Sequence, residues 1–586
     1  MTKDFIQVIV PLRLEWEPYY AMEGAFVGQR VQVTFAHREY VGVVSAVNVT
    51  PETAPERIQP ARPTGLPPVT PQEIAFWRAL AGYYLCSVGE VYKAAYPELK
   101  QESEAIQVRT DERLQKRLAL LKDKLQKARK DQTRARYADE IGRLEAFLNG
   151  ETATLEPGAV ELSPAQETAA DAIRTAFQHG KTVLLQGSAG VGKTQVCLQL
   201  ARETLLRGKS VLFLAPEIAF SRLLEDRIAQ YFPQLLVFHS GKSAAQRRTV
   251  ANTLREGKAQ VVLGTRSALF LPHRNLGLIV VAQEHDTSYK QDSPAPRYQA
   301  RESAILLAGI HGAHVVLSSE TPSLESLYNA ESGLFAKVHL KEDSGKVPGL
   351  MLVNMAAEAR KKGLVGSFSL KLLEQMHRAL NAGEKVLLVA RSKAALPDCT
   401  AELEAIFGAN PRGIVLVTPA TAKDQPFGAF GLTAVLQSDG LLAKEDFRCD
   451  ERAHQLMCLL RNKCRPDGLF VVQTREVAHP VFGEYNQERI QQLLAERRQF
   501  GYPPYTRMIN VTVKDQNEKR GAYLARELAG AIRREIPCQA GDDGIRLFLS
   551  RDRVLQGRKK ALYAAILAFE KERKYSGHII IDVDPV

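Results

Sequence analysis

Eight consecutive residues carry the clearest chemistry in the chain. Gly187-Ser-Ala-Gly-Val-Gly192-Lys193-Thr194 fits the spacing G-x-x-x-x-G-K-[ST]. Such a loop cradles phosphate, because Gly187, Gly190 and Gly192 let successive backbone N–H groups close around one anion. Lys193 is placed to reach the β- and γ-phosphates of a nucleotide, and the Thr194 hydroxyl to hold Mg²⁺. The apolar run TVLLQ precedes the loop and TQVCLQLARETLL follows it. The loop is therefore expected between a buried strand and a helix, whose N-terminal dipole adds to the anion site. ATP and Mg²⁺ are the ligands this predicts.

Hydrolysis needs two further groups, a carboxylate that positions the metal and a base that activates water. Both should end a later buried strand. The candidate strand LGLIVV runs into Ala282-Gln283-Glu284-His285-Asp286. A D-E-x-H box would begin with Asp and Glu where this chain has Ala282 and Gln283. Each missing group is of a kind that contributes about 10²–10⁴ in rate. Glu284 and Asp286 stand nearby, but a shift of one or two residues changes side-chain direction by at least half a pleat. Glu284 is kept as a catalytic candidate. His285 reads as a hydrogen-bonded structural histidine.

These groups must be carried by a large framework. A chain of 586 residues is too long for one core, and three to five domains are expected. Lys and Arg number 78 against 66 Asp and Glu, a net charge of +12 that favours a polyanionic partner. The excess is concentrated. Arg113–Arg136 holds ten basic and two acidic residues, and Arg551–Lys574 holds eight against three. Each run is either a solvated helix face or a phosphate-contacting surface. The seven cysteines are scattered and never form C-x-x-C. That argues for a reducing, cytoplasmic setting and against a zinc site. No run of 18 apolar residues suggests a membrane span, and the N-terminus does not read as a signal peptide.

Along the chain, QRVQVTF and EYVGVVSAV alternate with period two and read as a hairpin in a small β domain. ARPTGLPPVTP (61–71) reads as a linker, 72–96 as helical, and 108–148 as a charged helical hairpin with Leu114, Leu118, Leu121 and Leu125 as its stripe. Beyond Ser163, the runs TVLLQG, SVLFLAP, LLVFHS, AQVVLGT, LGLIVVA and AHVVLSS alternate with helical segments. EKVLLVA, RGIVLVT, LTAVLQS and GLFVVQT form a second series. Two parallel α/β lobes around a cleft follow from this order. The last 80 or so residues read as a small α+β domain.

Several segments then match one family. Gly28-Gln-Arg-Val-Gln-Val-Thr-Phe35, Val41-Gly-Val-Val44, Gly82-Tyr-Tyr and Gly89-Glu-Val-Tyr-Lys-Ala come first. Leu162-Ser-Pro-Ala-Gln166, Leu214-Ala-Pro-Glu-Ile-Ala219, His239-Ser-Gly241 and Gly264-Thr-Arg-Ser-Ala-Leu-Phe270 follow. Glu284-His-Asp-Thr-Ser-Tyr-Lys-Gln291, Arg297-Tyr-Gln-Ala-Arg301, Thr321-Pro-Ser-Leu-Glu-Ser326, Gly501-Tyr-Pro-Pro504 and Ile581-Asp-Val-Asp-Pro585 complete the set. Over most of its length the chain resembles the PriA family of primosomal replication restart helicases, of superfamily 2. The resemblance implies a multidomain α/β protein with two RecA-like helicase lobes. The implied division is a 3′-end DNA-binding domain (1–100), a charged hairpin in place of a winged helix (101–157), lobe 1 with the phosphate loop (158–340), a degenerate lobe 2 (341–490) and a C-terminal α+β domain (491–586). It implies that Gln166 senses adenine and that Gly28, Arg38, Arg266, Tyr289, Lys290, Arg297 and Tyr298 contact DNA.

The departures from the family pattern are equally specific. Ala282 and Gln283 replace the box carboxylates, and Ser-Ala-Thr reads Ser319-Glu320-Thr321. The paired C-x-x-C insertion is missing between Ala390 and Ile414. The Q-V-A-G-R-A-G-R segment reads Cys458-Leu-Leu-Arg-Asn462-Lys-Cys-Arg465, which leaves Arg465 as a catalytic candidate. Pro18-Tyr19-Tyr20 stands at the 3′-end pocket. The expected function is a restart factor that binds branched or single-stranded DNA at stalled forks, with ATPase weak or lost. Single-stranded-DNA-binding protein and replicative helicase loading factors are the expected partners, in a bacterial cytoplasm. The alternatives are an active ATP-dependent 3′–5′ DNA helicase and a P-loop regulator that does not bind DNA.

Overall fold

The computed structural model describes residues 4–97, 110–127, 131–148, 157–216, 218–341, 347–409, 411–442, 446–534, 536–541, 544–573 and 579–586. Two parallel sheets form its centre. The first has seven strands, in the spatial order Phe335–His339, Thr182–Gln186, His314–Ser319, Leu276–Ala282, Ser210–Leu214, Val261–Gly264, Leu236–Phe238. The second has five, ordered Gly349–Asn354, Cys464–Thr474, Phe430–Val435, Val386–Val389, Ile414–Val417. All their pairings are parallel. The inner strands are continuous Val/Leu/Ile runs because helices cover both faces. Ten of these strands are the expected runs. Phe335–His339 and Gly349–Asn354 are additional edge strands.

The N-terminal five-stranded sheet is antiparallel. Its hairpin joins Arg30–Phe35 to Arg38–Val47 with Phe35 opposite Arg38. Ala36 and His37 both have positive φ, the conformation that matches a tight two-residue turn to strand twist. The proline-rich segment is more than a linker. Arg62–Pro63 adds an edge strand beside Val31 and Gln32, where proline's missing N–H costs nothing. The helical segment 72–96 is divided into two helices, Pro71–Tyr84 and Val88–Ala95. Leu85 in the left-handed region breaks it, and Ser87 starts the second helix with a capping box.

Thr110–Lys127 and Asp131–Leu148 pack as a helical hairpin around Leu121, Ile141 and Leu144. The Leu114 side chain lies outside the described residues. Arg117 joins the hairpin to lobe 1 by donating to the carbonyls of Ala229 and Gln230. Part of the basic run is paired, Lys122 with Glu145 and Lys127 with Asp123. The C-terminal sheet, Gln539–Gly541, Gly544–Ser550, Thr506–Val513 and Ile579–Val583, is antiparallel. Its helices Glu518–Arg533 and Leu555–Arg573 pack on one face, and one apolar cluster runs from this sheet through the 71–95 helices into lobe 1.

Candidate nucleotide and DNA site

The phosphate loop follows an interior strand. Thr182–Gln186 lies between His314–Ser319 and Phe335–His339, with Ser319 opposite Gln186. Gly192 has φ +97, and a Cβ there would stand 2.0 Å from Gln166 Nε2. Only glycine fits that crossing. Gln166 is spent on structure: its Oε1 accepts from the Ser163 amide (3.0 Å) and its Nε2 donates to the Val191 carbonyl (3.2 Å). It braces the loop. Lys193 Nζ folds onto the Gly187 and Ser188 carbonyls at 2.6 and 2.7 Å. Burial lowers the Lys193 pKa, and the nearby Glu320 charge opposes that shift. Thr194 sits one residue inside the helix Lys193–Leu206.

Across the sheet from the loop strand, Leu276–Ala282 ends with Ala282 opposite Ser318. Gln283 turns the chain with φ +49. Glu284 is completely buried. It accepts from Arg301 Nη1 (2.8 Å), the Ser323 amide (2.7 Å), Ser323 Oγ (3.0 Å) and Ser326 Oγ (2.9 Å). The catalytic expectation for Glu284 is corrected, because its lone pairs are already satisfied inside lobe 1. His285 Nδ1 lies 2.7 Å from Ser319 Oγ, and burial lowers its pKa, keeping the ring neutral. Asp286 pairs with Lys423 Nζ of lobe 2 at 2.7 Å. Burial raises the Asp286 pKa, but Lys423 and the Ser288 amide outweigh it and hold the group ionised.

One carboxylate does face the loop, and it was seen in the sequence only as a departure. Glu320, one residue past His314–Ser319, accepts from Asn462 Nδ2 at 2.6 Å. Burial raises its pKa, while Asn462, Lys193 and Ala189 pull it down. Asn462 and Cys458 come from the end of the lobe 2 helix Cys449–Arg461. The Cys458 thiol is pushed up to about 12 by burial and by the Glu320 charge. Arg465 is turned to Glu384 and to Asp467 within lobe 2, so its catalytic expectation is corrected too. Arg461 donates to the Pro348 carbonyl. Further ties cross the cleft: Arg448 to Glu325 (2.9 Å), Glu451 to the Leu324 amide (2.9 Å) and Gln455 to the Thr321 carbonyl (3.3 Å).

The aromatic loop expected to touch DNA is folded inward. The Tyr289 hydroxyl donates to the Ala282 carbonyl at 2.6 Å, with the Leu214 carbonyl at 2.9 Å, and its ring is fully buried. Tyr298 packs edge-on against Phe270, ring centroids 5.2 Å apart. Lys290 is buried between Asp582 (2.7 Å) and the carbonyls of Arg297 and Val583. Arg266 donates to the Ser288 and Lys290 carbonyls. Lys290 ties lobe 1 to the C-terminal sheet, the other three hold the loop within lobe 1, and both tyrosine rings are buried. Arg297 stays half-exposed beside them. In the second basic run, Lys559 is likewise buried, donating to the Tyr83 carbonyl.

At the N-terminal sheet, Gly28 is buried and exchanges backbone hydrogen bonds with Val44 and Val69. A Cβ there would lie 2.1 Å from the Val69 carbonyl oxygen, so the chain crossing by itself accounts for the glycine. Arg38 is exposed at the hairpin tip. Trp16, 57% exposed, tilts against Phe35 with centroids 6.2 Å apart. With Tyr19, Glu15, Glu17 and Arg78 it lines an open cleft. Tyr20 is buried, with its hydroxyl on the Thr34 carbonyl. Trp16 is the aromatic that sequence reading passed over. Its signal was a tryptophan among charges, in EWEPYY.

Two family models match parts of this chain. The model of the PriA 3′ DNA-binding domain (3′BD) matches residues 7–97. The chain is similar to PriA replication restart proteins. The model described as type III restriction enzyme, res subunit, matches residues 159–300, which include the phosphate loop. The replication restart protein PriA of Bacillus subtilis (strain 168) is 26% identical over 492 residues, 68% of this chain and 60% of that one. The PriA of Chlamydia pneumoniae is 36% identical over 40% of this chain and 32% of its own. That of Haemophilus influenzae (strain ATCC 51907 / DSM 11121 / KW20 / Rd) is 37% identical over 38% and 30%. The chain thus spans less than two thirds of the length of these PriA relatives. A structure of RecG bound to a three-way DNA junction aligns at TM-score 0.37 and 16% identity, over 73% of this chain and 52% of that one. Among the described residues no helix is long and apolar enough to cross a membrane, and no group of three or more His, Cys, Asp or Glu could hold a metal ion.

Proposed function

We propose that this protein is a DNA-binding replication restart factor that keeps the helicase architecture and has little or no ATP turnover. The observation that carries the second half is the end of strand Leu276–Ala282. Ala282 and Gln283 offer no carboxylate there, and Glu284 and Asp286 are committed to Arg301 and Lys423. The donor set around the loop therefore does not fit a Mg²⁺ ion held for hydrolysis: the strand end supplies neither a carboxylate to join the Thr194 hydroxyl nor a base for the attacking water, and Glu320, the carboxylate that faces the loop, is held by Asn462. The loop retains backbone donors and Lys193, which suffice for weak binding of an adenine nucleotide. The N-terminal domain supports the first half. An exposed Trp16 provides a stacking face and Arg38 a phosphate contact, as branched or 3′-ended DNA requires. Single-stranded-DNA-binding protein and helicase loading factors are the partners this role would need, in a bacterial cytoplasm.

The test is a DNA-stimulated ATPase assay on the pure chain, with Lys193→Ala as control. We expect wild type and control to be indistinguishable with forked DNA. Turnover above about one per second, within the range of ordinary enzymes, would replace this reading with the active 3′–5′ helicase. A salt-dependent titration with fluorescent forks accompanies it. Absence of fork binding at low salt would leave only a nucleotide-binding regulator.

A further inference from the structure

We infer that Glu320 is a built-in anion of the phosphate loop, so that the loop takes a nucleoside diphosphate in preference to a triphosphate. The inference rests on the proposed reading only in treating the loop as a phosphate cradle. A ring of backbone N–H groups behind a helix N-terminus demands a negative charge, and here the chain supplies one. The carboxylate is aimed by sheet register. Ser319 stands opposite Gln186, and the Gly187 amide donates to the Ser319 carbonyl at 3.3 Å. The next residue is therefore delivered beside the first turn of the loop. There the Glu320 carboxylate is near enough to the Ala189 amide and the Lys193 ammonium for both to pull its pKa down. From the other side Asn462 Nδ2 holds it at 2.6 Å.

Ala189 is the third residue of the loop, on the strand side. The amides from Gly192 to Thr194, at the start of the helix, remain for the inner phosphates. A terminal phosphate would come to the Ala189 amide and the Lys193 ammonium, where Glu320 already stands. It must either displace the carboxylate or sit against a like charge in a poorly solvated cleft, a costly arrangement. A diphosphate avoids that position. Displacing Glu320 also breaks its bond to Asn462, so a triphosphate would loosen one tie between the lobes.

The experiment is calorimetric titration of the full chain with ADP and with the non-hydrolysable triphosphate AMP-PNP, in the wild type, Glu320→Ala and Glu320→Gln. We expect the wild type to bind ADP at least about tenfold more tightly than AMP-PNP. Glu320→Ala should gain about tenfold or more for AMP-PNP while ADP moves less than about threefold. Glu320→Gln, which keeps the shape and loses the charge, should move the same way and guards against a folding defect in the alanine variant. Equal wild-type affinities, an unchanged Glu320→Ala, or no nucleotide binding by any variant would each overturn the inference and leave fork binding and the absence of turnover untouched. A wild-type ATPase that Glu320→Ala abolishes would make Glu320 a catalytic carboxylate and sink both readings.

Discussion

Replacing Glu284 with alanine tests whether the surviving acid of the box is structural. Its carboxylate holds the Arg301 guanidinium, the Ser323 amide and two hydroxyls at 2.7–3.0 Å, all buried. Removing it leaves Arg301 short of one of its carboxylate partners and the Ser323 N–H with none. Breaking a buried pair costs about 3–5 kcal/mol, and an unsatisfied buried amide about 1–3 kcal/mol. Arg301 retains Glu302 at 2.6 Å, which takes the pair's share below that range and leaves a total of about 3 kcal/mol. That is on the order of a hundredfold in a local opening constant. Global melting is a poor measure in a chain of several lobes. Amide hydrogen exchange over 314–331 is the suitable assay, because Ser323 caps the helix Leu324–Glu331. Protection there should fall about a hundredfold in Glu284→Ala, and less in Glu284→Gln, which keeps an acceptor for the Ser323 amide. If protection were unchanged while a wild-type ATPase disappeared, the structural assignment would be wrong and Glu284 would be catalytic.

Lys559 should make stability depend on alkaline pH. Burial, with Arg507 adding, lowers its pKa to about 8 from the ordinary 10.5, against Asp584. Between those values the unfolded chain binds the proton and the folded one does not, so stability rises with pH across about 8 to 10.5. The gain is up to about 3 kcal/mol, and Lys559→Met should lack it. Parallel urea midpoints for the two proteins over that window would refute the assignment. At the N-terminal cleft, Trp16→Ala should weaken binding of 3′-ended forks by about 1–3 kcal/mol if one base stacks there. Arg38→Glu should weaken it further and reduce the salt dependence. Both are read by fluorescence anisotropy, and unchanged affinity in both variants would move the DNA surface elsewhere.

Much of the framework was legible in the sequence because its signals are local. The buried parallel strands are continuous apolar runs. The phosphate loop is eight adjacent residues, and the hairpin around Ala36 and His37 shows its alternation directly. The reading failed where a partner far away in the chain decides. Pro63 becomes an edge strand because Val31 needs a neighbour. Gly28, Lys290, Tyr289 and Tyr298 match the family's pattern in one dimension. Whether such side chains meet solvent or are used internally depends on which carbonyls and acids the fold brings to them.

The site itself divides the same way. That Ala282 and Gln283 cannot supply a metal carboxylate or a base is a property of residue type, and composition alone decides it. That Glu320 takes the anion's place at the loop could not be read from Ser319-Glu320-Thr321, because it needs two long-range facts. One is the register that sets Ser319 beside Gln186. The other is the helix Cys449–Arg461, which brings Asn462 across the cleft from 142 residues away. A side chain's chemistry is intrinsic to its residue. The field and hydrogen bonds that give that chemistry a role are made by groups that only folding brings within a few ångströms.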